Sequence, residues 1–335
     1  MRVRILSFTQ RGEETAKRLA LATNSRAERC RSGGLSEWTK EAFSEADAIL
    51  FVGAAGIAVR AIAPYLKSKL TDPAVLVIDE QGSYMIPVLS GHIGGANQLA
   101  GELAAAIGAE AVITTATDRN GLFAVDSWAV REKCRILNPE RIKAVSGKLL
   151  SGEEVCFYSE YGIEGRQAEG LRQGSLDEAD FVLTIHKQEK AEGRAPLLCV
   201  PKILTLGVGC RRGKSMEEIE EAFMTLMQEH GLYEAAVGKV CSIDLKKDEP
   251  GLLAFCRKRG WILETFSAEE LRQIEGSFSA SAFVKETVGV DNVCERSALL
   301  GAGGEEGRGS LLCKKKAGNG ITLALGQMDY HPKWE

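Results

Sequence analysis

Little in this 335-residue chain is suited to metals or disulfides. It has only four histidines, at positions 92, 186, 230 and 331. Its nine cysteines stand at 30, 134, 156, 199, 210, 241, 256, 294 and 313, an odd number with no C-x-x-C pair. That excludes a disulfide framework and the usual zinc spacings, and predicts reduced, buried thiols with no metal bound by protein ligands alone. No apolar run approaches the ~20 residues of a membrane helix. The opening stretch Met1–Phe8 is too short in apolar length for a secretory signal and reads as a strand, so the expected location is cytoplasmic. Basic excess is absent too. Forty-two Lys and Arg stand against 46 Asp and Glu, a net charge of -4, which argues against a nucleic-acid partner. No G-x-S-x-G elbow occurs, which weighs against a serine-nucleophile hydrolase. What is present is ordinary globular material, 44% hydrophobic and 26% charged. At about 150 residues per domain it is enough for two or three cores.

The first 120 residues alternate strand and helix signals. Strands are expected at Val3–Phe8, Asp47–Gly53, Ala74–Asp79, Tyr84–Leu89 and Ala111–Thr115. Helices are expected over 12–22, 54–66 and 93–107, with Pro64 kinking or shortening the second. Pro87 points to an edge or irregular position for the fourth strand. The pattern predicts an α/β fold class: a largely parallel N-terminal α/β domain (1–120), a smaller middle α/β segment (121–200) and a C-terminal α/β domain with a mixed sheet (201–335). Residues 160–175 read as a loop. In the last domain Lys202–Leu206 runs into a glycine loop at 207–213. A helix follows, and a closing hairpin turns at Gly318-Asn319-Gly320.

The densest motif is Leu89-Ser90-Gly91-His92-Ile93-Gly94-Gly95-Ala96-Asn97, placed between a strand and a helix. Glycines admit close backbone approach, and a helix N-terminus offers unpaired N–H donors. His92 reads either as a general base or acid or as a residue that only orients the turn. Asn97 is a donor or an ordinary helix residue. Asp118 is a partner for His92 or plain turn chemistry. Ligands of open α/β sheets gather at carboxyl strand ends. The loops Gly53-Ala54-Ala55-Gly56, Ser90-Gly91-His92, Thr114–Asp118 and 207–213 are therefore expected to converge. Gly207-x-Gly209-x-x-x-Gly213 is one residue too long for a dinucleotide fingerprint and lacks the acidic ribose partner. This disfavours a nucleotide-dependent oxidoreductase. Arg211, Arg212 and Lys214 beside it suit carboxylates or phosphates. Asp291 or Asn292 is a candidate helix cap, and Lys314–Lys316 reads as strand-face charge.

These motifs resemble one family. Phe51–Arg60, Leu89–Asn97 and Thr114–Asp118 are similar to the N-terminal domain of cobalt-precorrin-5A hydrolases of the anaerobic cobalamin pathway. Leu206–Arg211, Glu286–Val290 and Gly320–Gly326 are similar to their C-terminal domain. The resemblance implies a hydrolase that opens the δ-lactone of a cobalt tetrapyrrole with water and releases acetaldehyde. It also implies that cobalt arrives with the substrate, with no cofactor of the protein's own. The partners expected are that macrocycle, in a cleft between the N- and C-terminal domains, and other enzymes of the pathway. On matching positions, His92 is the expected base, Asn97 and the N–H groups around Gly94 and Gly95 the oxyanion donors, and Asp118 the tautomer-holding residue. Gly53, Gly56, Arg60, Ser90, Gly91, Gly94, Gly95 and Thr115 form the substrate-binding set with Gly207, Gly209, Cys210, Arg211, Arg212, Lys214, Glu286 and Thr287. A non-catalytic carrier of the same tetrapyrrole is the alternative.

Overall fold

The computed structural model describes residues 1–68, 71–115, 121–188, 195–280, 289–303 and 309–334. Its backbone forms two compact units: residues 1–130 with 149–152, and residues 131–148 with 153–335. The segment 121–200, expected as a middle domain, is thereby divided. Its start falls in the first unit, and most of the rest shares the second with the last sheet.

The first unit runs β1 (Val3–Ser7), α1 (Gln10–Thr23), β2 (Arg26–Arg29), α2 (Leu35–Glu45), β3 (Ala48–Val52), α3 (Ala55–Ile62), β4 (Ala74–Ile78), β5 (Tyr84–Leu89), α4 (Ala96–Ile107) and β6 (Glu110–Ala111), and ends in α5 (Val125–Arg131). Every residue of β3 and β4 is buried, as befits strands covered on both faces. Leu50 and Val52 point into a cluster with Ala16 and Leu19 of α1 and Leu99 and Leu103 of α4. Ile49 and Phe51 point to the opposite face, with Trp38 and Ala42 of α2 and Ala58 and Ile62 of α3. Helix α3 ends as an α-helix at Ile62, and Pro64 carries the chain on as a 3₁₀ turn.

The strand order is β2-β1-β3-β4-β5-β6. The first four strands are parallel. Strand β5 is antiparallel to β4 and parallel to β6. The reversal is local. Asp79 closes the β4–β5 turn by accepting from Gln81 N (3.1 Å), Ser83 N (2.8 Å) and Tyr84 N (2.7 Å). A connection this short cannot make a parallel crossover. The expected strand Ala111–Thr115 shrinks to Glu110–Ala111, and the next residue, Val112, donates its N–H to Met85 O (2.8 Å).

The second unit begins with β7 (Cys134–Ile136), α6 (Ile142–Leu150, which ends in the first unit's 149–152), β8 (Val155–Ser159), β9 (Leu171–Gln173), β10 (Phe181–Leu183) and β11 (Leu197–Pro201), a sheet ordered β7-β11-β10-β8-β9. Strand β9 lies inside the stretch expected as loop, paired parallel to β8. Then come β12 (Leu204–Cys210), α7 (Met216–Glu229), β13 (Val237–Ile243), α8 (Pro250–Arg259), β14 (Ile262–Phe266), α9 (Ala268–Gln273), α10 (Cys294–Gly301), β15 (Gly309–Gly318) and β16 (Ile321–Met328). Their sheet, β14-β13-β12-β16-β15, is mixed. Strands β12, β13 and β14 are parallel, while β16 is antiparallel to both β12 and β15. Both residues at the hairpin tip, Asn319 (φ 46°) and Gly320 (φ 70°), are left-handed, the geometry a two-residue Asn-Gly turn requires.

Strand β12 explains the glycine spacing. Leu204, Leu206 and Val208 face α7 and α8 in the largest core. The alternate residues Thr205, Gly207 and Gly209 face the other side of the sheet. A Cβ on Gly207 would overlap Cys294 O and come within 2.8 Å of Ala298 Cβ. The expected loop at 207–210 is therefore strand, and Gly207 gives α10 room to lie on the sheet. All nine cysteines are free thiols, six of them buried.

Candidate functional site

The turn after β5 closes tightly on itself. Ser90 holds a left-handed backbone (φ 57°), and its Oγ donates to Asp72 O at 3.0 Å. A non-glycine residue in that region is held there by its surroundings. A Cβ on Gly94 would collide with Ser90, and one on Gly91 would come within 2.7 Å of Asn97 Oδ1. Gly95 (φ 79°) starts α4. Gly95 N donates to His92 O (2.9 Å), Ala96 N to Ser90 O (3.1 Å) and Asn97 N to Gly91 O (2.9 Å). The expected role of the Gly95 N–H as an oxyanion donor is thus corrected. The turn's own carbonyls take the N–H groups of Gly95, Ala96 and Asn97, so these three do not face a ligand.

Two side chains leave this turn for defined partners. Asn97, buried, donates from Nδ2 to Thr115 Oγ1 at 2.7 Å, which ties the turn to the segment after β6. His92 Nδ1 lies 3.1 Å from Asp126 Oδ2. The His92 side chain is 17% exposed and that of Asp126 8%, so solvent screens the pair weakly. Asp126 Oδ1 also accepts from Ser127 N (3.1 Å), which fixes the carboxylate plane. Asp126 is the residue the sequence reading missed; its signal was a lone carboxylate between Val125 and Trp128 in an apolar helix start. Asp118, expected in that role, lies outside the described residues.

Of the strand-end loops expected to converge, two meet within the first unit. Ser90–His92 and Thr115 meet, because β5 and β6 point the same way. Gly53 does not join them. It follows Val52, level with Ile78, whereas Leu89 is level with Val75 at the other end of β4. Those levels are three residues, roughly 10 Å, apart. Gly53 is buried against the Phe8 ring, and Gly56 and Arg60 are exposed on α3.

The second unit holds a cavity of about 810 Å³. It lies where β12 and β13 end, between the start of α10 and the β15–β16 turn. Ile243, Leu245, Val293 and Ile321 form apolar walls; Arg211, Arg212, Lys246 and Lys315 bring positive charge; Gly209 and Cys210 complete the β12 side. Buried Glu249 accepts from Gly213 N (2.7 Å) and Lys246 Nζ (2.9 Å), and so joins the loops after β12 and β13. Lys214 does not line the cavity; its ammonium is held by Glu218 (2.7 Å). Burial pushes the Cys210 thiol up, and pushes that of Cys294 up to about 11, so neither is a thiolate nucleophile at neutral pH.

Lys315 reaches the cavity through a bulge. Cys313 pairs with Leu325 and Lys316 with Leu323, one extra residue on β15. Lys316 then pairs with Glu229 of α7, while Lys315 donates from N to Glu295 Oε1 (2.6 Å) and from Nζ to Ser279 O (2.8 Å). The reading of all three lysines as simple face charge is corrected for Lys315. Asn292 caps α10 by accepting from Glu295 N (2.9 Å). Glu286 and Thr287 lie outside the described residues.

Fold and sites define a class: a two-unit α/β protein with a histidine–carboxylate couple in one unit and a cation-lined apolar cavity in the other. Residues 37–118 match the family model Cobalamin synthesis G N-terminal, and residues 204–326 match Cobalamin synthesis G C-terminus. The chain is 34% identical over 305 residues to the cobalt-precorrin-5A hydrolase of Salmonella typhimurium, covering 88% of this chain and 86% of that protein. It is 34% identical over 316 residues to the enzyme of the same name from Priestia megaterium, covering 89% and 83%. A solved cobalamin biosynthesis protein G homolog from Sulfolobus solfataricus aligns over 97% of both chains at 22% identity, with a TM-score of 0.42. The chain belongs to the cobalt-precorrin-5A hydrolase family of cobalamin biosynthesis.

Proposed function

We propose that the protein opens the δ-lactone of cobalt-precorrin-5A with water and releases acetaldehyde, with His92 as the base and Asp126 holding its tautomer. Family membership supports the reaction. The observation that carries the assignment of roles is the 3.1 Å contact between His92 Nδ1 in the glycine turn and Asp126 Oδ2 on α5. An imidazole with its Nδ1 proton directed at a carboxylate has its basic lone pair on Nε2.

Water loses a proton to His92 as its oxygen bonds the lactone acyl carbon. The ring C–O bond then breaks, and the imidazolium returns the proton to the departing alkoxide. The freed hydroxyl next gives its proton to the same base. The adjacent C–C bond breaks, acetaldehyde leaves, and the macrocycle carbon takes up the proton. One water is consumed and one carboxylic acid formed, so a single base serves both steps. Asn97 and Thr115 position the turn that carries His92. Cobalt enters and leaves with the macrocycle.

The test is acetaldehyde release from cobalt-precorrin-5A by the intact protein and by a His92→Ala variant that still binds the macrocycle. Release by the first and a loss of about 10²-fold or more in the second is expected, the usual weight of a general base. Equal release by both moves catalysis away from His92. Tight binding with no release by either indicates the carrier.

A further inference from the structure

We infer that the cavity of the second unit is a receptor for an apolar ligand bearing carboxylates, with Arg211 and Arg212 as its charge contacts. The inference rests on the proposed function for the identity of that ligand, a polycarboxylate tetrapyrrole, but the cavity defines its class independently. A volume near 810 Å³ lies in the upper part of the range for small-molecule sites. Ile243, Leu245, Val293 and Ile321 suit an apolar body and would be wasted on a small polyanion.

The charges around those walls are unevenly satisfied. Lys246 is neutralised by Glu249, and Asp291 by Arg296 at 2.9 Å. Arg211 and Arg212 also line the cavity, and neither guanidinium forms an ion pair among the described residues, although the charge of Arg212 also acts on Glu249. The loop that carries them is anchored on both sides. Arg211 N donates to Gly320 O (2.9 Å), and Gly213 N donates to buried Glu249 (2.7 Å). Two guanidiniums on a loop whose backbone is anchored beside an apolar cavity match carboxylates, which Arg binds in a bidentate manner.

The experiment measures equilibrium binding to the full chain by absorbance or tryptophan quenching. The probes are a cobalt corrinoid in its free polycarboxylic acid form and the same corrinoid fully methyl-esterified. The acid is expected to bind, the ester at least about tenfold more weakly. The double variant Arg211→Gln/Arg212→Gln is expected to weaken the acid at least about tenfold and to leave ester binding unchanged. Arg211→Lys/Arg212→Lys, which keeps the charge, is expected to recover part of the affinity and guards against misfolding. Unchanged affinity for the acid in the glutamine variant overturns the inference, as does displacement of the corrinoid by millimolar citrate. If the variants behave as stated but the intact protein releases no acetaldehyde, the proposed reaction fails and the receptor stands. If release occurs and the glutamine variant binds the acid with unaltered affinity, the reaction stands and the receptor fails.

Discussion

The pairing that matters most joins residues 34 positions apart. His92 is fixed by Asp126, and Asp126 by its own bond to Ser127 N. Asp126→Asn presents an amide where the imidazole N–H needs an acceptor, and favours the wrong tautomer. We expect kcat for acetaldehyde release to fall by roughly 10²-fold with the melting temperature little changed. Single-turnover rates across pH check this, since a merely structural role would leave the histidine-dependent limb of the profile intact. Glu295 plays a different part. It is fully buried and accepts from Ser279 N (2.7 Å), Ser279 Oγ (2.8 Å), Asn292 Nδ2 (2.9 Å) and Lys315 N (2.6 Å). Glu295→Ala strands those donors in the interior. A stability loss of about 3 kcal/mol or more is expected from denaturant unfolding, at 1–3 kcal/mol per orphaned group. A loss under 1 kcal/mol would show that water replaces the carboxylate.

Among elements, the glycines of β12 and β16 decide how close α10 can lie. A Cβ on Gly207 would overlap Cys294 O, and one on Gly326 would overlap Ala298 O. Gly207→Ala must push α10 off the sheet. We expect a loss of about 1–3 kcal/mol, the usual cost of overpacking, measured by thermal or urea unfolding. Gly56→Ala is the contrasting case. A Cβ there meets nothing within 4 Å and the residue is inside α3, so a gain of about 0.5–1 kcal/mol is expected. The same comparison shows what was legible in the sequence. The α/β alternation, the helix read over 12–22 and the Asn319-Gly320 turn are local chemistry and could be read directly. The two-residue spacing of Gly207 and Gly209 was equally visible, but a glycine turn and a close-packed strand face leave the same trace. The direction of β5 was present as well, in the five residues from Asp79 to Ser83 that are too few for a crossover. Asp126 as the partner of His92 and the bulge that turns Lys315 inward were not legible. Each depends on which distant segments pack together, and no local spacing encodes that.

For the whole molecule, the distribution of perturbed carboxyls sets which unit is acid-sensitive. In the first unit, the Lys17 hydrogen bond holds Glu13 below the usual carboxylate value, and the Arg2 N–H holds Asp47. Both are partly exposed and solvent-screened. In the second unit, burial works to raise Glu249 and Glu295. The hydrogen bonds from Lys246 and Gly213 to the former, and from Lys315 and Ser279 to the latter, outweigh it and hold both low. A carboxyl whose native value is depressed binds protons less readily folded than unfolded. Its contribution is complete above the unfolded value of about 4.3 and is lost as pH falls through the native one. Because the two buried carboxylates held low by their hydrogen bonds, Glu249 and Glu295, lie in the second unit, that unit is expected to loosen first below about pH 4.5. The first cuts of brief pepsin digestion at pH 4 should therefore map between residues 153 and 335, with fewer at pH 5.5. Glu295→Gln, which cannot take up the proton, should flatten the pH dependence while lowering stability at neutral pH. First cuts within residues 1–130 would instead locate the acid-labile groups in the unit that carries His92.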